Sequence, residues 1–325
     1  MSLTVQEAFE QYLGCISVDN AAVEEAMRAC REFAERLNGN RRSYVPNIED
    51  IRFFGAACRG TAVGPLDEIG AYLIIASGPT ITRVDELRAP RSFDVASLRP
   101  ELSQWATGGL LDACDIARNI SELAKTIQAC RDVRYDEATF AVSLRYGDIG
   151  PRLRLVPVVA IRGEDGEIRQ LYAPAPHVKW LLVDPIADAN GIEELDNRHN
   201  GLFRPLVTSL KHWNHCCSDV RFDPAFLEAL LVTLFATNAP VTELQEGVAS
   251  FFREAPSRLA AGLTIQPSFA RHASPPSEEQ RDKLIEEHAR REKIARSAID
   301  AEERGDHSYA IREWRRIFRE NFPHS

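Results

Sequence analysis

The chain has no apolar stretch approaching the roughly 20 residues that cross a bilayer. Its longest candidate, Phe226–Phe235, is interrupted by Glu228 and Thr233. The first residues lack the basic and apolar segments of a secretory leader, and the seven cysteines form no C-x-x-C pair. An odd, scattered cysteine count suits a reducing compartment, so the sequence predicts a cytoplasmic protein with no membrane segment. Excess positive charge is also missing. With 39 basic against 48 acidic residues the net charge is −9, which leaves no strong nucleic-acid footprint. Lysine is scarce, at five of the 39, a bias we ascribe to genome composition rather than function. No internal repeat is present.

What remains is the composition of a soluble globular protein, 44% hydrophobic and 27% charged over 325 residues, enough for one large domain or two ordinary ones. Helical spacing of apolar residues runs through 4–13 and 20–37, the second capped by Asp19 or Asn20 and closed at Asn38-Gly39, with a turn at Arg41-Arg42. Ile51–Phe54 reads as a short strand, and Ala71–Ala76 as a buried one. A long irregular link over 78–108 precedes a helix over 110–131. Strands are expected at Thr139–Leu144 and Leu153–Ile161, with Ile168–Tyr172 returning across the Glu164-Asp165-Gly166 turn. Helices then follow near 191–198, 202–217, 224–237, 241–254, 277–304 and 307–319, with a Pro/Ser-rich connector over 262–277. A mixed half before a helical half predicts two lobes with a cleft between them.

Residues 53–75 read FFGAACRGTAVGPLDEIGAYLII. Glycine-rich backbone at a helix start offers N–H groups to a phosphate chain. Carboxylates on alternate strand residues share one face and can hold Mg²⁺. Further on stand Arg154-Leu155-Val156-Pro157, Trp180–Pro185, LVTSLKHWN over Leu206–Asn214, and AIREWRRIFRENFP over Ala310–Pro323.

In this order these segments resemble the bacterial cGAS/DncV-like nucleotidyltransferases (CD-NTases) and the oligoadenylate synthetases. Gly55, Arg59, Gly60, Thr61, Ala62, Pro65 and Ile69 stand where that family's G-S…R-G-T-A loop and acid-x-acid strand want them. Trp180–Pro185 resembles its W-x-x-T-D/N-P loop, and the ending its A-x-x-x-W-x-x-I-F-G-x-x-F-P tail. The resemblance implies an α+β fold: a polymerase-β-like nucleotidyltransferase core with a mixed sheet over 1–175 and a helical C-terminal lobe over 176–325. It implies a nucleotide site at Gly55, Ala56, Arg59, Thr61 and Lys211, the lysine reaching the donor triphosphate. It also places Glu68, Gly70 and Arg154 at the three metal-binding carboxylates, and Ala56 at the phosphate-binding serine. Active relatives make cyclic or linear oligonucleotide messengers in antiphage defence.

Here one carboxylate of three remains. At about 4 Å and an effective dielectric near 20, each unit charge contributes on the order of 4 kcal/mol, doubled for a divalent ion. Exchanging an acid for Arg154 therefore reverses the sign of the site. The expectation is a degenerate enzyme with no cofactor, in which Arg154 pairs with Glu68. Its partner would be an NTP or oligonucleotide in the cleft, or a protein from the same defence system. The alternative is an active enzyme using Mg²⁺ on relocated acids, Asp67 and Asp148 beside Glu68. Bland readings stand alongside: Gly55–Thr61 as a structural turn, Lys211 as a solvated lysine, and Trp180, Trp213 and Trp314 as core aromatics. His177, His212 and His215 are expected to have no catalytic role, and Cys216-Cys217 to be no metal site.

Overall fold

The computed structural model describes residues 3–39, 46–75, 93, 100–147, 150–175, 179–261 and 273–324. The Arg41-Arg42 turn, Asp148, His177, most of the 78–108 link and most of the 262–277 connector lie outside them. In chain order the elements are α1 (Val5–Ile16), α2 (Asn20–Gly39), β1 (Ile48–Phe54), α3 (Ala56–Arg59) and β2 (Glu68–Ile75). Then come β3 (Ala106–Thr107), β4 (Leu110–Leu111), α4 (Ala113–Thr126), β5 (Cys130–Asp136), β6 (Ala141–Tyr146), β7 (Arg152–Arg162), β8 (Ile168–Ala175) and β9 (Lys179–Val183). Helices α5 (Pro185–Arg198), α6 (Phe203–Cys216), α7 (Pro224–Phe235), α8 (Leu244–Ala261), α9 (Glu278–Glu303) and α10 (His307–Phe318) complete the chain. No described helix is long and apolar enough to cross a membrane.

Two compact units result. The sheet unit comprises Asp19–Cys58 and Leu66–Ile186; the helical unit comprises Met1–Val18, Arg59–Pro65 and Ala187–Ser325. This division differs from a single boundary at 175/176. The first helix groups with the helical unit because its apolar face, Val5, Phe9, Tyr12 and Ile16, is buried in that unit's core. Phe9 meets Trp314 and Phe322 edge-on at 5.2 and 4.9 Å, and Tyr12 packs on Phe318 at 4.8 Å. The W…F…F tail motif is thus a ladder of core aromatics, each burying on the order of 150–250 Å². Gly64 N donates to Ile16 O at 2.7 Å and ties the 59–65 segment to the same helix.

The sheet unit is built on strands in the order β1-β2-β7-β6-β5, with β8 and β9 continuing from β7. The β2–β7 pair is parallel and all others are antiparallel. Alternation sorts the side chains. Ile69, Ala71, Leu73, Leu153, Leu155, Val142 and Leu144 enter the core that α2 and α4 share. Glu68, Gly70, Tyr72, Arg152, Arg154 and Val156 are the alternate residues, on the other face.

The α+β mixed sheet with a helical C-terminal region is the fold the sequence predicts, but three elements depart from expectation. The helix expected over 110–131 is shorter. Leu110-Leu111 pairs across Gly108-Gly109, whose φ of +60° and +82° suit a two-residue hairpin. Asp112 then caps α4, and the chain turns into β5, where Val133 and Tyr135 alternate with charged residues. The expected loop at Trp180–Pro185 is mostly strand β9, since Trp180 and Leu182 pack into one core and Val183 into another. Helix α5 starts at Pro185 rather than near 191, because proline has no N–H to lose in a first helical turn.

Arg319 stands where the tail motif has glycine and adopts φ +58°, ψ −139°, a region costing a residue with a Cβ about 1–3 kcal/mol. Arg319→Gly should raise the urea midpoint by the equivalent of about 1 kcal/mol. Arg319→Ala, which keeps the strain and loses the bond to Cys216 O, should not.

Candidate functional site

The predicted site residues fall in three places. On the sheet face, Glu68 and Gly70 are alternate residues of β2, and Gly70 pairs with Arg154 of the parallel strand β7. Arg154 Nη1 lies 3.9 Å from Glu68 Oε1, so the expected ion pair is present. It is loose, with 36% and 44% of the two side chains exposed, and a pair of that kind contributes about 0–1 kcal/mol. Burial pushes the Glu68 carboxyl above its ordinary range, and the guanidinium groups of Arg154 and Arg152 oppose that shift without reversing it.

Gly70 is filled from the other side. Its cross-strand partner on β1 is Phe54, and a Cβ built on Gly70 would meet that ring at 2.7–2.9 Å. Phe54 also stacks on Tyr72, with centroids 4.2 Å apart. An aromatic ring lying over a strand glycine replaces the packing that glycine lacks. The space where a second carboxylate would project is occupied by Phe54. Pairs of divalent ions therefore do not fit these residues, since Glu68 is the single carboxylate among the three positions. Among the described residues no group of three or more His, Cys, Asp or Glu side chains could hold a metal ion. Asp67 lies exposed just before β2, and its carbonyl accepts from Arg152 N at 2.8 Å.

The turn after β1 holds Gly55, at φ +99° with open space around a built Cβ; backbone conformation, not crowding, requires glycine there. Ala56 opens the four-residue helix α3.

Arg59, Thr61 and Lys211 belong to the helical unit, where they converge on a residue that sequence reasoning did not assign. Glu228 on α7 is 1% exposed. It accepts from Arg59 Nε at 2.7 Å, Thr61 Oγ1 at 2.9 Å and Lys211 Nζ at 2.9 Å. Burial, the largest single influence on Glu228, pushes its carboxyl up. Lys211 and Arg59 overcome that and bring it down to about 2. Lys211 is therefore a half of a buried ion pair rather than a solvated lysine, at 10% side-chain exposure. The signal was legible in part. A glutamate inside the apolar run Phe226–Phe235 must find cations once buried. Gly60, at φ +70°, lets Arg204 approach within about 3.1 Å of its built Cβ, and Arg204 Nε holds the Arg59 carbonyl at 3.1 Å.

Among the remaining expectations, Trp180, Trp213 and Trp314 are fully buried core residues. His212 bridges Tyr12 Oη at 2.8 Å and Asn321 Nδ2 at 2.7 Å. Cys216 is exposed and Cys217 buried, and burial drives the Cys217 thiol up to about 11.

No protein-family model and no curated protein matches the chain. Its architecture is a nucleotidyltransferase fold, with the mixed sheet followed by a helical region. Solved structures of that fold align over 98% of the chain. CdnC of E. coli MS115-1, in complex with HORMA-deltaN, superimposes with a TM-score of 0.64 at 13% identity over 98% of its own length. The same protein with ATP gives 0.64 at 14%. Vibrio cholerae DncV, a cyclic AMP-GMP synthase and prokaryotic cGAS homolog, gives 0.58 at 12% over 87% of its length. At these identities the shared property is the fold.

Proposed function

We propose that the chain is a catalytically degenerate CD-NTase-like protein, acting in the cytoplasm as a nucleotide-, RNA- or partner-binding regulator or scaffold in antiphage-type signalling. The observation that carries this reading is the Phe54–Gly70–Arg154 row. An aromatic ring and a guanidinium flank the strand position that the resemblance assigns to a metal-binding acid. Two-metal phosphoryl transfer needs carboxylates that clamp paired cations and align the attacking hydroxyl. Glu68, raised by burial, offers one. The partner classes follow from structures of the same fold, which hold ATP, the linear intermediate pppA(3′,5′)pG, or HORMA-deltaN.

Incubation of the full chain with radiolabelled NTPs and Mg²⁺ or Mn²⁺ tests the loss of catalysis. Neither cyclic nor linear product is expected on thin-layer chromatography. Product that disappears in Glu68→Ala or Asp67→Ala would reverse the conclusion and establish an active enzyme with relocated metal ligands.

A further inference from the structure

The face of the sheet that carries Gly70 also carries arginines in two consecutive cross-strand rows. In the first, Arg131 of β5 pairs with Arg145 of β6, Arg145 with Arg152 of β7, and Arg152 with Glu68. In the second, Arg134 pairs with Ser143, Ser143 with Arg154, and Arg154 with Gly70. The intervening residues Val142, Leu144, Leu153 and Leu155 are buried in the core, so both rows lie on the outer face. Like charges directly opposite one another destabilise a sheet, so folding alone does not favour this arrangement.

The described acids around these rows do not cancel it. Asp132, at φ +50° in the β5 irregularity, lies 3.6 Å from both Arg145 and Arg152. Glu68 faces Arg154, and Asp136 is held by Thr139. Among the described residues of β5–β7 and the start of β2, five guanidinium groups therefore face three carboxylates, in a chain whose net charge is −9. Arg131 is turned onto the carbonyls of Gln128 and Cys130, and Arg152 reaches Asp132 O and Ser143 Oγ. Arg134 and Arg145 are exposed, Arg145 by 52%. Arginine rather than lysine carries no weight in so lysine-poor a chain; the placement does.

We infer that this arginine grid binds a short phosphate chain directly, without a divalent ion. The class includes inorganic polyphosphate and the triphosphate of a nucleotide. Guanidinium groups on neighbouring strands, about 5 Å apart, converge on one tetrahedral oxyanion. Acidic side chains on one face of an extended peptide repeat at about 7 Å and match only the spacing between rows. The grid covers about 10 by 7 Å across β5–β7, far less than a duplex needs. The inference rests on the proposed loss of the metal clamp. It adds a recognition surface on β5 and β6 that the Gly55–Thr61 loop does not supply.

Calorimetric titration of the full chain with sodium tripolyphosphate and, separately, ATP, both in EDTA, tests it. Both are expected to bind, more weakly as salt rises and more weakly again when excess Mg²⁺ neutralises the chain. Arg145→Gln and Arg134→Gln should each lower affinity about tenfold, the loss of one charge-assisted hydrogen bond. The thermal midpoint should hold in Arg134→Gln, whose cross-strand partner is Ser143, and hold or rise in Arg145→Gln, where a charge opposite Arg131 and Arg152 is removed. No heat from either polyanion at millimolar concentration would overturn the inference. So would binding that requires Mg²⁺, binding of ATP but not tripolyphosphate, or affinity that survives both substitutions. NTP turnover would instead overturn the proposed loss of catalysis, so the two failures are distinguishable.

Discussion

Glu228→Gln is expected to destabilise the protein by about 3–5 kcal/mol, the cost of removing one member of a buried charge cluster. The substitution keeps the size of the side chain but removes its charge and turns one of the two acceptor oxygens, which meet Arg59, Thr61 and Lys211, into an N–H donor. Lys211→Met should cost less, because the Arg59–Glu228 pair remains. Replacing Arg59, Glu228 and Lys211 together with apolar residues of similar volume should recover part of the loss, as the three charges of the cluster are removed at once. Urea midpoints of the three variants order these effects. Equal midpoints for Glu228→Gln and wild type would remove the cluster from any account of the helical unit's stability. The same carboxylate sets an acid limb. Its folded value of about 2 lies below its ordinary 4.5, so its contribution is fully present above pH 4.5. It is lost as pH falls from there through about 2. The depression corresponds to about 3 kcal/mol, and in Glu228→Gln the stability profile should flatten across that window.

Gly70→Ala is expected to destabilise by about 1–3 kcal/mol, the range for forcing extra atoms into a packed position. The added methyl would start 2.7 Å from the Phe54 ring, and Phe54 is held by its stack on Tyr72. Phe54→Ala alone should also destabilise, through loss of that stack and of the cover over Gly70. In the double variant the clash is gone, so the two effects should fall short of additivity by about 1–2 kcal/mol. Additive effects would mean that the ring is not what excludes a side chain from position 70. The experiment bears on function as well. If Phe54 occupies the space, Gly70→Asp cannot rebuild a metal clamp unless Phe54 is shortened and Arg154 is exchanged for an acid.

Much of this protein was legible before any coordinates. The continuous apolar run AYLII announced a strand buried on a sheet, and the largely apolar LRLVPVVAI announced another. The order of the loop, strand, Lys-x-Trp-Asn and tail segments pointed to the nucleotidyltransferase fold. The resemblance assigned Glu68, Gly70 and Arg154 to the family's metal-binding positions, and the three lie together on one face of β2 and β7. Strands β5 and β9 were missed. Their short alternation is partly hidden among charged residues in one and inside a loop-like motif in the other, and local propensity is weak where pairing partners decide the outcome.

Local spacing and residue chemistry therefore establish which elements form, because period and side-chain identity act within a few residues of chain. What Gly70, Arg154 and Lys211 touch depends on contacts that no local pattern encodes. Glu228 meets Arg59 across 169 positions of sequence, and its other carboxylate oxygen holds Lys211 Nζ at 2.9 Å. Phe54 comes to lie over Gly70, and Arg145 beside Arg152, because antiparallel registers fix which residues face each other. Register is a property of the assembled sheet, where a shift by one residue would send every core side chain to the opposite face.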